Sequence, residues 1–350
     1  PPPPPPPPPP IFQASAANRD SSLRLVGSEM CIRDRFYPTA VVYDAANNRA
    51  LVADVVQEAL IAIDLVSGDR TVIADAGSGA GLNFPISMVL DTPANRVLVG
   101  DSNVEALLSI DLASGAGTVI SDASTGTGPA LTFPRSLAND AVRGQTLVVD
   151  TILGEILAVD MATGDRSIFA DNTTGAGPSL LGASAVALHS ISERVLSTVV
   201  NENGAGLVWA DLTTADRTTL AGLGAGTGPD LDSPTGMVLD DANNRALVLD
   251  DTLDALLSVD LATGDRTLLS DLSTGSGAAF GTPNSLALDS PNNRALVVDD
   301  ALDALLSVDL ANGDRIIISD AGNGAGPLIT TPTSVALDAA GNRALLLDAD

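Results

Sequence analysis

Residues 283–320 read PNSLALDSPNNRALVVDDALDALLSVDLANGDRIIISD, and their pattern decides the fold. The stretch holds four apolar runs of five or six residues: SLALD (285–289), ALVVD (295–299), ALLSVD (304–309) and IIISD (316–320). Val, Ile and Leu in short runs suit strands, and the phrases SPNNR, DDALD and LANGDR between them are turn signals. Asn-Asn and Asn-Gly at the tips favour the positive-φ turns that close two-residue hairpins. The unit therefore predicts a four-stranded antiparallel meander. Its strands are almost continuously apolar, which requires both faces of each small sheet to be covered.

The same unit recurs along the chain. Its openings are PTAVVYD at Pro38, PISMVLD at Pro85, PRSLAND at Pro134, ASAVALH at Ala183, PTGMVLD at Pro234, PNSLALD at Pro283 and PTSVALD at Pro332. The spacings are 47, 49, 49, 51, 49 and 49 residues. Small sheets that need cover on both faces and repeat at this period are satisfied by a radial array. A solenoid or β-helix uses fewer strands per repeat and does not need four runs in each unit. The expectation is an all-β fold: a β-propeller of four-stranded antiparallel blades, with six full blades and a two-stranded partial seventh ending at Asp350. An open last blade would need a strand from elsewhere to cover its edge.

The propeller is expected over residues 36–350. Residues 1–35 share nothing with the repeat: ten prolines lead into IFQASAANRDSSLRLVGSEMCIRDR, which is read as translated artefact or a disordered segment. No signal peptide is legible there. The single cysteine, Cys31, falls inside this segment, so the repeat region carries no disulfide and no cysteine metal site.

Phrases such as PNSLALDSPNNRALVVDDALDALLSVDL resemble the NHL, YVTN and gluconolactonase-like propeller repeats of bacteria. The resemblance spans residues 36–350 at the level of the repeat. It implies the fold, and it implies no one function, because such relatives include scaffolds, lactonases and lyases.

Charge narrows the partners. The chain has 44 acidic residues against 17 Arg, with no Lys, for a net charge of −27. A nucleic acid or an anionic membrane surface calls for a basic patch and is excluded as a partner. No apolar run approaches the ~18 residues of a membrane span. Acidity, absent lysine and absent cysteine in the repeat suggest a periplasmic or extracellular bacterial protein.

The ligand side is expected where the loops from second to third strand and from blade to blade gather. The second strands end there in Asp54, Asp101, Asp150, Asp250, Asp299 and Asp348, an acidic ring. Three readings stand side by side: each Asp caps its own turn, the acidity suits a salty medium, or the ring holds a cation, with Ca²⁺ the candidate. No loop has the spacing of a calcium-binding loop. The axis-lining strands add Arg135, Asn139 and Asn284 as polar candidates. On the opposite side, Asp–Arg pairs such as Asp289 with Arg294 and Asp314 with Arg315 are read as exposed hairpin decoration.

The fourth unit breaks the pattern. His189, the only histidine, replaces an Asp, Val199 replaces the Asp ending the second strand, and Trp209, the only tryptophan, follows. His189 is expected at a hairpin opposite the ligand side, as a hydrogen-bonding residue rather than a catalyst. No catalytic residue is assigned. The favoured function is a non-catalytic binding or interaction scaffold without a required cofactor, taking a protein or small-molecule ligand on its acidic loop face. The alternative is a metal-dependent propeller enzyme of the gluconolactonase or lyase type. No glutamate stands where the gluconolactonase resemblance would need one, so that metal set does not carry over.

Overall fold

Side chains along Arg294–Asp299 alternate between two apolar seams. Ala295 and Val297 pack with residues of the preceding unit, and Leu296 and Val298 with residues of the following one. Burial on both faces is why the run carries no polar residue between Arg294 and Asp299. Each fully buried Leu contributes about 1.5–3 kcal/mol relative to exposure.

The computed structural model describes residues 22–26, 29–33, 37–79, 81–324 and 328–349. The proline run at 1–10 lies outside them. Six units form four-stranded antiparallel sheets whose strand order follows the chain. Their inner strands are Pro38–Asp44, Pro85–Asp91, Pro134–Asp140, Ala185–His189, Pro234–Asp240 and Pro283–Asp289. The seventh unit supplies Pro332–Asp338 and Arg343–Asp348. Each inner strand lies against the next, and the last lies against Pro38–Asp44, closing a ring. Seven apolar clusters fill the seams between neighbouring units. The fold is a β-propeller. Among the described residues the only helical elements are three short 3-10 turns, and no helix is long and apolar enough to cross a membrane.

The seventh sheet has one feature the repeat did not foretell. Glu29–Arg33 pairs in parallel with Ala344–Asp348, and Ser22–Val26 pairs antiparallel with Glu29–Arg33.

Two local expectations are corrected. The hairpins between first and second strands are not two-residue turns: Ser290–Asn292 forms a 3-10 turn that Asn293 ends at φ 49°, and Asn95 and Asn244 repeat this. One left-handed residue is needed instead of two, and asparagine tolerates it.

The Asp–Arg pairs are not exposed decoration either. Asp240 lies 2.7 Å from Arg245 with its side chain 1% exposed, and Asp289 is buried beside Arg294 in the same way. The neighbouring blade covers them. Arg49 donates onward to the Leu112 carbonyl at 3.2 Å, and Arg294 donates to Asn342 Oδ1 at 3.3 Å. Arg343 closes the ring by donating to the Leu65 carbonyl and, at 2.8 Å, to Asn48 Oδ1. These three arginines tie one blade to the next. Burial alone would raise the Asp289 carboxyl, but hydrogen bonds from Arg294 and Asn292 outweigh it and hold it below its ordinary range.

Arg315 departs from expectation similarly. It is buried and donates to the carbonyls of Ala278 and Thr274 and to Ser270 Oγ, all in the segment arriving from the preceding blade. Arg166, Arg217 and Arg266 hold the equivalent connectors. Asp314 does not answer Arg315. It accepts the Ser276 amide at 2.7 Å from that same connector.

Candidate functional site

The Pro end of each inner strand pairs with the Asp end of the second strand, as in Pro283 opposite Asp299. Arg135, Asn284 and the second-strand carboxylates therefore share one end of the ring. Asn139 does not. It pairs with Thr146 beside Asp140, four residues along the same strand from Arg135 and at the other end.

The carboxylates are committed to backbone. Asp101 accepts the amides of Asn103 and Val104 in its own turn, and those of Asn83 and Phe84 from the segment entering the inner strand. Asp150 does the same with Ile152, Leu153, Thr132 and Phe133. Asp250 accepts from Leu253, Asp232 and Ser233, and Asp299 from Leu302, Gly281 and Thr282. Asp54 accepts from Val56 and Gln57. All five are 0–1% exposed. A carboxylate that collects several N–H donors is a strong local staple, and at Asp101, Asp150, Asp250 and Asp299 it joins a turn to the start of the adjacent strand.

The acids left facing solvent sit one to four residues further on. Asp254 is raised by burial and then by the charges of Asp251 and Asp299, and Asp300 by burial and then by Asp303, Asp299 and Asp348. The carboxylates influencing one another across blades five to seven make a continuous negative patch. Among the described residues, no three His, Cys, Asp or Glu side chains form a group suited to a metal ion.

Polar side chains near the start of the inner strands stitch the axis. Thr39 Oγ1 donates to the Pro85 carbonyl, Ser87 Oγ to Pro134 at 2.6 Å, Thr235 Oγ1 to Pro283 at 2.7 Å, and Asn284 Nδ2 to Pro332 at 3.0 Å. Two atoms remain over: Asn284 Oδ1 and Thr333 Oγ1 are buried without a hydrogen-bond partner. Arg135, at the corresponding position of blade three, is exposed and forms no ion pair among the described residues.

Glu155 was not singled out from sequence. It occupies the place of Ala59, Ala106, Ala255 and Ala304 at the start of the third strand, and is 8% exposed. Its Oε1 has no partner, nor has Thr151 Oγ1 in the same turn. Burial, followed by the charges of Asp150 and Asp171, pushes its carboxyl above the usual range. The readable signal was GEIL where other units have DALL or EALL.

In blade four, His189 ends the inner strand at the opposite end of the ring. Its Nδ1 lies 2.5 Å from Ser192 Oγ and its Nε2 3.5 Å from Asp241. Its ring is 5.7 Å from that of Trp209. Ser192 stands where Asn243 and Asn292 donate to the Asp of their own hairpins. The imidazole thus reproduces a turn contact and a cross-blade contact that Asp and Arg make elsewhere.

No protein-family model and no curated protein matches the chain. Solved structures do. A chain of the nidogen–laminin complex matches at TM-score 0.55 and 14% identity, covering 84% of this chain and 96% of that one. Streptogramin B lyase matches at TM-score 0.62 and 10% identity, over 85% and 86%. Hydrazine synthase from Kuenenia stuttgartiensis matches at TM-score 0.64 and 10% identity, over 97% and 100%. At such identities the likeness is one of fold. The fold is shared by binding proteins and enzymes alike, so function has to be argued from the site.

Proposed function

We propose that the protein is a non-catalytic binding module of the NHL/YVTN-like repeat type, acting outside the cytoplasm, with its ligand seated at the Pro end of the ring. One observation carries the reading: an unpaired guanidinium, Arg135, shares that end with two buried polar atoms lacking partners, Asn284 Oδ1 and Thr333 Oγ1. Unsatisfied buried groups cost about 1–3 kcal/mol each, and a ligand that hydrogen-bonds to them recovers that cost. The guanidinium favours a carboxylate-bearing molecule or peptide. The likeness to a chain of the nidogen–laminin complex supports a protein as one such ligand.

Thermal shift against small carboxylates (citrate, gluconate, glucuronate) and acidic peptides tests this. Ligands that raise the melting temperature of the wild type should do so at least tenfold less potently with Arg135→Ala. Equal response of the variant, or conversion of the bound molecule seen by mass spectrometry, would overturn the reading and favour a propeller enzyme.

A further inference from the structure

Blade three departs from the repeat at two charged residues of opposite sign, both at the Pro end of the ring. Arg135 follows the proline of the inner strand, where uncharged residues such as Thr39, Thr235 and Asn284 stand in other blades. Glu155 opens the third strand, where Ala59, Ala106, Ala255 and Ala304 stand. Pro134 pairs with Asp150, and Asp150 with Glu155. Two strand spacings of about 4.8 Å therefore set the backbones at Pro134 and Glu155 about 10 Å apart.

The acid has also changed its place. In blades one, two, five and six the left-handed last residue of the turn between second and third strands is Glu58, Glu105, Asp254 or Asp303. Blade three puts Gly154 there, at φ 68°, and the acid moves one residue on, into the strand. The move buries it. Glu155 is 8% exposed, its Oε1 has no hydrogen-bond partner, and the charges acting on it are the negative ones of Asp150 and Asp171. Asp150 brings it no donor, being occupied by the amides of Thr132, Phe133, Ile152 and Leu153. Thr151 Oγ1, in the same turn, is a second buried atom without a partner. A buried carboxyl beside like charges favours an incoming cation. A metal ion is a poor occupant, since among the described residues no three ligating side chains gather. An ammonium group brings up to three donors of its own. The turn at 151–154 is free of charge, and its Ile152 and Leu153 are 67% and 45% exposed.

We propose that blade three binds a short zwitterionic peptide, with Glu155 receiving the ammonium group, Arg135 the carboxylate, and Ile152 and Leu153 an apolar side chain. The Arg135 half rests on the function proposed above, and the Glu155 half is independent of it. An extended tripeptide spans about 10 Å, which matches the separation across the three strands. Charge-assisted hydrogen bonds at both ends give the pair its strength. A ligand lacking either charge leaves one of the two residues unanswered, which is how the site would select.

Three peptides separate the halves: Gly-Leu-Gly, its N-acetyl form, which lacks the ammonium group, and its C-terminal amide, which lacks the carboxylate. Each is titrated calorimetrically into the full chain, Glu155→Gln and Arg135→Ala. Gly-Leu-Gly should bind the wild type at least tenfold more tightly than either capped form does, and at least tenfold more tightly than it binds Glu155→Gln. The acetylated peptide should bind the wild type and Glu155→Gln alike, and the amide should bind the wild type and Arg135→Ala alike. No saturable binding of Gly-Leu-Gly, or equal binding by the wild type and Glu155→Gln, would overturn the proposal. Failure of the earlier reading looks different: the acetylated peptide would then be indifferent to Arg135→Ala while the amide still required Glu155.

Discussion

Individual carboxylates in this protein have sharply different duties, and pH separates them. Asp289 and Asp338 are held below the ordinary range: burial works against this, and hydrogen bonds from Arg294 and Asn292, or from Gly341 and Arg343, outweigh it. A depressed folded pKa gives stability that is present above the unfolded value and is lost as pH falls through the folded one. Glu155 has the opposite sign. Its raised pKa means that the fold prefers the protonated form, so its destabilising effect grows as pH rises through that pKa. Glu155→Gln should therefore melt higher than the wild type at pH 7, and the gap should close on acidification below about pH 4. A pH series of melting curves on the two proteins checks this. Asp299→Ala leaves the amides of Gly281, Thr282 and Leu302 without their acceptor, and should cost about 1–3 kcal/mol in urea unfolding. Asp300→Ala should be neutral or stabilising in the same assay, since Asp300 is exposed and repelled by Asp303, Asp299 and Asp348. Asx capping was legible in the sequence from the Asp that opens each turn. What could not be read was that Asp299 also accepts amides seventeen and eighteen residues upstream, because spacing along the chain does not say which segment returns alongside.

Strands, hairpins and connectors were legible to different degrees, for one physical reason. Apolar runs and turn residues report on a strand and its own hairpin, so the meander and its period could be derived directly. Nothing within the connectors into blades three to six signals restraint, yet they are clamped, and the clamp is an arginine of the following blade. Gly277 has φ 106° and its Cβ would sit 1.9 Å from the Arg315 carbonyl. Gly144 has φ 66° with nothing within 4 Å. Gly277→Ala should thus destabilise clearly more than Gly144→Ala, whose cost is the left-handed backbone alone, about 1–2 kcal/mol. Chemical denaturation of the two variants makes the comparison.

At the scale of the whole ring, charge and closure dominate. A net charge of −27 destabilises a folded chain through self-repulsion, so raising NaCl from 0.05 to 1 M should raise the melting temperature by screening. At fixed ionic strength Ca²⁺ should add little, since Asp54, Asp101, Asp150, Asp250 and Asp299 are already occupied by backbone amides. A shift of about ten degrees or more that a chelator reverses would point instead to cation binding. The ring itself was readable from the repeat, because seven like units cannot each bury two faces except against one another. The seam that joins last to first was not, since nothing local to Arg343 names Leu65 or Asn48 as its partner.

These ties also have a direction. Arg49 reaches forward to blade two, Arg294 forward to blade seven, and the connectors into blades three to six are gripped by arginines that lie further along the chain. A ribosome making the chain from its N-terminus therefore leaves these fastenings unmade until the following blade has emerged. Arg343 alone among these reaches back, to Leu65 and Asn48, so the first blade waits until the seventh is made for the side chain that ties the two together.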